Sequence, residues 1–124
     1  MTRYGAFNQG LHRITALGEF LDGTIEYAYF CTPSELTATV GWGRRKYARR
    51  ARRVAQVESI PFLCLEDGFL RSVDLGRAEP PLSIVVDDLG IYYDATQPSR
   101  LESFIIKLRT SEQFVRAQAL ITAW

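Results

Sequence analysis

Short apolar runs separated by helical patterns predict a β-sheet with helices packed against it. Two runs are continuous and end in charged residues: 61–65 leads into Glu66, and 82–86 leads into Asp87. A continuous apolar run of this length is typical of a strand covered on both faces. We therefore expect 61–65 and 82–86, together with the β-prone run 36–40, in one mostly parallel sheet of a three-layered α/β fold.

The other elements are predicted from local periodicity and turn residues. They are a helix over about 10–21 ended by a turn at Asp22 and Gly23, a strand over 24–30, a helix over 44–58, a loop over 73–81, a short strand at 91–94, and helices that begin near Pro98 and Glu112. Residues 4–7 are too few for a prediction. The strand, glycine turn, helix and strand between 36 and 65 are typical of a βαβ crossover.

The length of 124 residues fits one domain at most. The last predicted helix reaches Trp124, on its apolar face, without a closing turn or a polar tail. We therefore expect the chain to be truncated and to form a single, partial Rossmann-like half-domain over 1–124.

Charge is unevenly distributed, although the net charge is only +1. Residues 41–60 carry seven bases and one acid, whereas 66–94 carry two bases and seven acids. This asymmetry indicates either neutralisation within the fold or a site for a charged ligand. The basic residues of helix 44–58 form either a solvated face or a surface for a phosphate-bearing substrate or an anionic membrane. They are Arg45, Arg49, Arg52 and Arg53. Nucleic acid is not expected, because no aromatic stacking platform accompanies them.

Cys31 and Cys64 lie in apolar surroundings without a Cys-x-x-Cys spacing, which predicts buried thiols in a reducing compartment. No apolar stretch approaches the ~18 residues of a membrane span, and the N-terminus has no signal-peptide pattern. These features predict a cytoplasmic protein and leave peripheral membrane contact open.

Four carboxylates follow the two continuous apolar runs, and they are Glu66, Asp67, Asp87 and Asp88. Parallel strands end at one edge of a sheet, which is where ligands bind in open α/β folds. Paired carboxylates suit acid–base chemistry. A metal site is less favoured, because carboxylates adjacent in sequence tend to point apart. Alternatively, Asp67 and Asp88 cap turns or pair with an arginine such as Arg71.

Gly41 and Gly43 stand before the predicted helix 44–58. A Gly-x-Gly pattern permits a tight turn and leaves free amides at a helix N-terminus, where anions bind. Turn formation alone explains the pattern equally well.

Four motifs closely resemble the capsule polysaccharide biosynthesis/export family, which includes the KpsC-type β-Kdo glycosyltransferases. They are GWGR at 41–44, LEDGFLRSVDLG at 65–76, PPLS at 80–83 and VDDLGIYYD at 86–94. The resemblance runs from about Thr39 to Glu102 in the order and spacing of the family. Residues 1–35 are not covered by it.

The resemblance implies the N-terminal half of a GT-B-type module in a cytoplasmic enzyme of Gram-negative bacteria, peripheral to the inner membrane. Such enzymes transfer Kdo from CMP-Kdo, with retention, to a phospholipid-linked oligo-Kdo acceptor that anchors capsule. They need no metal, and we expect no cofactor. The resemblance assigns the acid–base role to Glu66. The matched motifs also provide the candidate substrate-binding residues, which are Gly41, Trp42, Gly43, Arg44, Asp67, Gly68, Arg71, Ser72, Asp87 and Asp88.

Family members continue to a Gln-Thr-x-x-Asp motif with an essential aspartate, and this motif does not occur in the 124 residues. We therefore expect no transfer by this chain without the second half of the module. Two alternatives stay open: a non-catalytic binding protein of capsule assembly, and a metal-dependent phosphoesterase that uses the four carboxylates.

Overall fold

The computed structural model describes residues 1–27, 32–44, 46–71, 79, 81–107 and 109–123. These residues contain strands β1 (Thr2–Ala6), β2 (Gly23–Tyr27), β3 (Ala38–Trp42), β4 (Phe62–Asp67) and β5 (Ile84–Asp87). They also contain helices α1 (Leu17–Leu21), α2 (Arg49–Glu58), α3 (Arg100–Ile106) and α4 (Ser111–Ala123). Short 3-10 helices cover Gln9–Arg13, Pro33–Glu35 and Lys46–Ala48.

The five strands form one sheet in the order β2-β1-β3-β4-β5. β1 is parallel to β2 and β3, and β3 is parallel to β4, whereas β5 is antiparallel to β4. The predicted α/β fold with a mostly parallel sheet is confirmed, and so is the β3–α2–β4 unit. β2 lies on one side of β1, whereas β3 and β4 follow on the other side. The strand order therefore reverses between β1 and β3, and α/β proteins bind ligands beside such a topological switch point.

Side chains of β3 alternate between two cores on opposite faces of the sheet. Val40 packs in a cluster with Leu17 of α1. On the other face, the hydroxyl of Thr39 donates to the carbonyl of Ala51 in α2 at 3.0 Å. Because successive side chains of a strand point to opposite faces, α1 and α2 cover different faces. The predicted three layers are confirmed.

The local sequence pattern does not predict strand β1. Its five residues include a glycine and two polar side chains, and no apolar run stands out. Its strand conformation depends on pairing with β2 on one side and β3 on the other. Arg3 adds ion pairs to Glu26 at 3.3 Å and to Glu35 at 2.8 Å, which link β1 to both flanking segments.

The run 82–86 lies in the predicted sheet as β5, but its expected cover on both faces is wrong. β5 is an edge strand among the described strands, its apolar side chains are only half-buried, and it runs antiparallel to β4. A parallel return would need a crossover connection, usually a helix, and the sequence 68–83 has no helical pattern. Instead, the N–H of Gly68 donates to the carbonyl of Ser83 at 2.9 Å, which brings the chain back alongside β4.

Several predicted boundaries also differ from the structure. The helix predicted over 10–21 is interrupted at the β-branched pair Ile14 and Thr15, which separates a 3-10 helix from α1. The helix predicted from 44 becomes α-helical only at Arg49. Residues 91–94 form a turn, closed by the Asp94 N–H and the Ile91 carbonyl at 3.0 Å, and not a strand.

Other local predictions are confirmed. Asp22 ends α1 with a left-handed φ of 50°. Ser99 begins α3 with a capping box, in which its side chain accepts the Glu102 N–H and the Glu102 carboxylate accepts the Ser99 N–H. Residues 28–30 of the strand predicted over 24–30 lie outside the described residues, as does Cys31. Among the described helices, none is long and apolar enough to cross a membrane.

Candidate active site

The carboxyl ends of β3 and β4 meet at one edge of the sheet. Beyond the last residue of β3, the N–H of Gly43 donates to the carbonyl of Leu65 at 2.8 Å. Gly43 has a φ of 59°, a conformation that side-chain-bearing residues rarely adopt. The bend places Gly43 beside Glu66 of β4: a Cβ on this glycine would stand 3.3 Å from Glu66 Oε2.

The indole of Trp42 holds the carboxylate of Glu66. Trp42 Nε1 donates to Glu66 Oε1 at 2.9 Å, and the N–H of Asp67 approaches the same oxygen at 3.3 Å. Among the described residues, no cation forms an ion pair with Glu66. The carboxylate is half-buried at the carboxyl edge of the parallel strands, as its predicted catalytic role requires.

Tyr93 also belongs to this site, although its neighbours in sequence do not mark it as a functional residue. A Cβ on Gly43 would stand 2.9 Å from the Tyr93 hydroxyl, so the hydroxyl and Glu66 Oε2 converge on the same point. Burial raises the pKa of Tyr93, and the nearby Glu66 carboxylate raises it further, whereas the backbone N–H of Arg44 opposes the shift. The only sequence signal for Tyr93 was its place in the matched motif at 86–94.

Arg44 links the end of β3 to the turn at 91–94, which carries Tyr93. Its guanidinium forms an ion pair with Asp94, and its carbonyl accepts a hydrogen bond from Arg52 at 3.0 Å. A cavity of about 240 Å³ lies alongside and is lined by Arg44, Arg52, Phe62, Cys64, Asp88, Leu89, Gly90 and Gln97. Arg44 and Arg52 thus line an open space that also includes Cys64, two residues before Glu66 on β4.

Cys64, buried at the floor of this cavity, is a neutral thiol. Burial raises its pKa to about 11, with smaller contributions in the same direction from Glu66 and Asp87. Arg52 and Arg44 act in the opposite direction but do not outweigh them. Cys64 therefore carries no negative charge near neutral pH, and its predicted burial is confirmed.

The remaining residues of the LEDG motif mostly contact their own segment. Asp67 pairs with Arg71 at 3.0 Å, as the alternative interpretation of Asp67 predicted. At Gly68 a Cβ would stand 2.1 Å from Ser83 Oγ, so this glycine permits the close approach of the returning chain. Ser72 lies outside the described residues. Substrate contacts of these residues stay predictions.

Asp87 and Asp88 do not share the edge that Glu66 occupies. In the antiparallel ladder, Asp67 is opposite Ile84, and Asp87 is opposite Cys64. The common-edge argument is therefore wrong for this pair of strands, because β5 runs in the reverse direction.

Both aspartates also have partners in the following segment. Asp87 is 1% exposed and accepts three backbone N–H groups, from Leu89, Gly90 and Arg100. Asp88 binds the Arg100 guanidinium through both oxygens, at 2.7 and 2.6 Å, and this contact is the main cause of the lowered pKa of Asp88. These hydrogen bonds give both aspartates a structural role, while their contact with substrate stays a prediction.

Of the two explanations left open for the Gly-x-Gly pattern, the structure supports turn formation. Gly41 lies inside β3 and packs against the 3-10 helix that precedes α2, since a Cβ there would stand 2.8 Å from the Ala48 Cβ. The Gly43 N–H already has the Leu65 carbonyl as its acceptor, and α2 begins only at Arg49. The two glycines thus serve packing and a bend, and not the first turn of a helix.

Comparison with known proteins places most of this site within one family. The model of the capsule polysaccharide biosynthesis protein family matches residues 37–121, which include Trp42, Gly43, Glu66 and Tyr93. The solved structure of Thermosulfurimonas dismutans KpsC, a beta Kdo 2,4 transferase, superimposes with a TM-score of 0.84 at 41% identity. That match covers 95% of this chain and 37% of the KpsC chain.

Curated relatives give the same picture. The capsule polysaccharide modification protein LipA of Neisseria meningitidis serogroup B is 45% identical over 113 residues, which are 90% of this chain and 16% of LipA. The lipopolysaccharide-processing protein LpsZ of Rhizobium meliloti is 46% identical over 76 residues, 60% of this chain and 17% of LpsZ. The chain therefore spans about a sixth of the length of these curated relatives.

Proposed function

Because the chain belongs to the capsule polysaccharide biosynthesis family, we propose that it forms part of a retaining β-Kdo transferase. The enzyme would move Kdo from CMP-Kdo to a phospholipid-linked oligo-Kdo acceptor in capsule biosynthesis. The observation that supports this most is the placement of Glu66: its carboxylate stands at the carboxyl edge of the parallel strands, oriented by Trp42 and unpaired with any cation of the described residues. The 41% identity to a Kdo transferase makes this the favoured chemistry.

In this proposal Glu66 is the acid–base residue. In the overall transfer, the bond between the anomeric carbon of Kdo and the phosphate oxygen of CMP breaks, and CMP leaves with the bonding electrons. The acceptor oxygen bonds to the same carbon on the face that CMP leaves, as retention requires, and the acceptor hydroxyl loses its proton. A carboxylate at the sheet edge accepts that proton. Arg44 and Arg52 line the cavity beside β4, where they would favour the acidic sugar and the nucleotide phosphate.

The second half of the module is the partner that this proposal requires. The apolar side chains of α3 and α4 are exposed among the described residues, most of them by half or more. They are Phe104, Ile105, Ile106, Phe114, Val115, Leu120 and Ile121. An apolar surface this extensive is typical of an interface. We propose that it packs against residues equivalent to the part of the KpsC chain that the match does not cover.

Contact with the cytoplasmic face of the inner membrane is part of the same proposal. Arg49 and Arg53 of α2 are exposed and lack ion-pair partners among the described residues, and Val57 beside them is 71% exposed. A basic surface with an apolar residue favours anionic lipid. Co-sedimentation with vesicles rich in phosphatidylglycerol should retain the chain. Binding that is equal for Arg49→Gln/Arg53→Gln and the unchanged chain would contradict this contact.

A chimera tests the catalytic assignment. The matching segment of the Thermosulfurimonas dismutans KpsC chain is replaced by this chain, and transfer from CMP-Kdo to a lipid-linked Kdo acceptor is measured. The chimera should form product, while the chain alone should form none above the control without protein. Glu66→Gln in the chimera should lower turnover about 10²–10⁴-fold with little change in thermal midpoint.

Asp67→Asn is the matched control, because its carboxylate pairs with Arg71 and is expected to affect stability more than turnover. A folded chimera in which Glu66→Gln keeps near-full turnover would overturn the acid–base assignment. Product formed by the chain alone would overturn the requirement for a second half.

No specific observation favours either alternative function, the metal-dependent phosphoesterase or the non-catalytic binding protein. The phosphoesterase hypothesis requires the four carboxylates to gather, but the β4–β5 register separates Glu66 and Asp67 from Asp87 and Asp88. Calorimetric titration with divalent metal at millimolar concentration tests it directly. A non-catalytic binding protein would bind the Kdo acceptor while the chimera stays inactive.

A further inference from the structure

The turn that carries Tyr93 is attached to the protein core at several points. Asp87 holds the backbone of Leu89 and Gly90 at 2.9 and 2.7 Å, and Ile91 is fully buried. The Asp94 N–H closes the turn on the Ile91 carbonyl, and the Asp94 carboxylate pairs with Arg44. The position of Tyr93 relative to the end of β3 is therefore determined by contacts on both sides of it in sequence.

The hydroxyl of Tyr93 stands between a donor and an acceptor. The hydroxyl oxygen and Glu66 Oε2 face the same point above Gly43, at 2.9 and 3.3 Å from a Cβ built there. The backbone N–H of Arg44 lowers the pKa of Tyr93 and the Glu66 carboxylate raises it, as expected of a nearby donor and a nearby acceptor. A tyrosine hydroxyl can accept one hydrogen bond and still donate its own hydrogen, whereas an ionised carboxylate only accepts. Gly43 makes this approach possible, since any Cβ at this position would lie 2.9 Å from the hydroxyl oxygen.

We propose that Tyr93 is a positioning residue for the acid–base carboxylate: its hydroxyl holds Glu66 Oε2 while the Trp42 indole holds Oε1. A glutamate side chain has three rotatable bonds, and contacts at one oxygen leave the other free to turn. Donors at both oxygens restrict the carboxylate to one orientation at the sheet edge. This inference rests on the proposed function for its catalytic consequence, but not for the contact itself.

The contact is tested on the chain alone by ¹³C NMR of labelled tyrosine side chains. Tyr93 should titrate above the ordinary tyrosine range in the unchanged chain, and Glu66→Gln should lower its pKa, because removal of the negative charge makes the tyrosinate less unfavourable. Burial and the Cys64 thiol are present in both proteins and do not account for a difference between them. An unchanged Tyr93 titration in Glu66→Gln would overturn the contact.

The catalytic consequence is tested in the chimera with Tyr93→Phe. We expect kcat to fall about 10- to 100-fold with KM little changed, because one hydrogen bond to a charged group is lost. The limb of the pH–rate profile assigned to Glu66 should also move, which a purely structural role of Tyr93 would not produce.

Tyr92→Phe is the matched control. Tyr92 is adjacent, is 42% exposed, and packs against Phe69 with ring centroids 6.1 Å apart. It should leave both kcat and the pH profile unchanged. If Tyr93→Phe leaves the profile unchanged while Glu66→Gln abolishes turnover, the positioning role fails and the proposed function stands. If Glu66→Gln has no effect on turnover but the NMR contact is found, the proposed function fails and the contact stands.

Discussion

The carboxylate of Asp87 accepts the backbone N–H of Arg100 at 2.8 Å, so the last residue of β5 holds the first residue of α3. Its other oxygen accepts the N–H groups of Leu89 and Gly90. A side chain that is 1% exposed would be costly to bury without such partners. Asp87 thus connects the edge of the sheet, the turn at 88–90 and helix α3 through a single side chain.

Asp87→Asn should destabilise the fold. An asparagine has one acceptor oxygen in place of two, and its amide nitrogen would face a backbone donor at one end of the site. A buried donor that loses its acceptor costs about 1–3 kcal/mol, so the free energy of unfolding in urea should fall by this amount. Asp88→Asn is the control, because its exposed pair with Arg100 should contribute about 1 kcal/mol or less. Equal effects of the two substitutions would contradict this role of Asp87.

Gly43→Ala should lower stability for two reasons that can be separated. The left-handed backbone costs an alanine about 1–2 kcal/mol, and the new methyl group would displace the Tyr93 hydroxyl. In a Tyr93→Phe background the second cost is absent, so Gly43→Ala should destabilise less there than in the unchanged chain. Additive effects in this double-mutant cycle, measured by thermal unfolding, would show that the glycine and the hydroxyl are not coupled.

Cys64 should make stability depend on pH in the alkaline range. Burial raises the thiol pKa from 9.0 to about 11 in the folded state, so the folded chain retains a proton that the unfolded chain releases. The resulting stabilisation is complete below about pH 9 and is lost as the pH rises through about 11. Urea unfolding at several pH values should show a steeper loss for the unchanged chain than for Cys64→Ala. If the free energy of unfolding depends on pH equally in the two proteins, the raised pKa of Cys64 is refuted.

The apolar face of α4 should contribute little to the stability of this chain. Phe114 and Ile121 are 65% and 71% exposed, so Phe114→Ser and Ile121→Ser should change the free energy of unfolding by about 0.5 kcal/mol or less. Leu65→Ala, in the core, should cost about 2–5 kcal/mol. In the KpsC chimera the same two serines should lower the thermal midpoint, because there the face would be covered. No effect in the chimera would contradict the proposed interface.

Features that depend on residues close together in the chain can be predicted from the sequence. The apolar run before Glu66 forms β4, the small residues of 48–55 pack against the sheet, and Ser99 caps α3 through Glu102 three residues later. Strand propensity, helical periodicity and capping are local interactions, so they are visible as local patterns. The placement of Glu66 at the carboxyl edge followed from the same kind of pattern.

Contacts between distant segments of the chain depend on the assembled fold and are not visible in any local pattern. The sequence of β1 shows no strand pattern, and its five residues become a central strand because β2 and β3 pair with it. The direction of β5 depends on the path of the chain after Gly68, and that direction separates Asp87 from Glu66. Tyr93 reaches Glu66 through a turn held by Asp87, across 27 positions in sequence. Such contacts arise from non-local pairing, whose energy depends on the assembled sheet and not on any one segment.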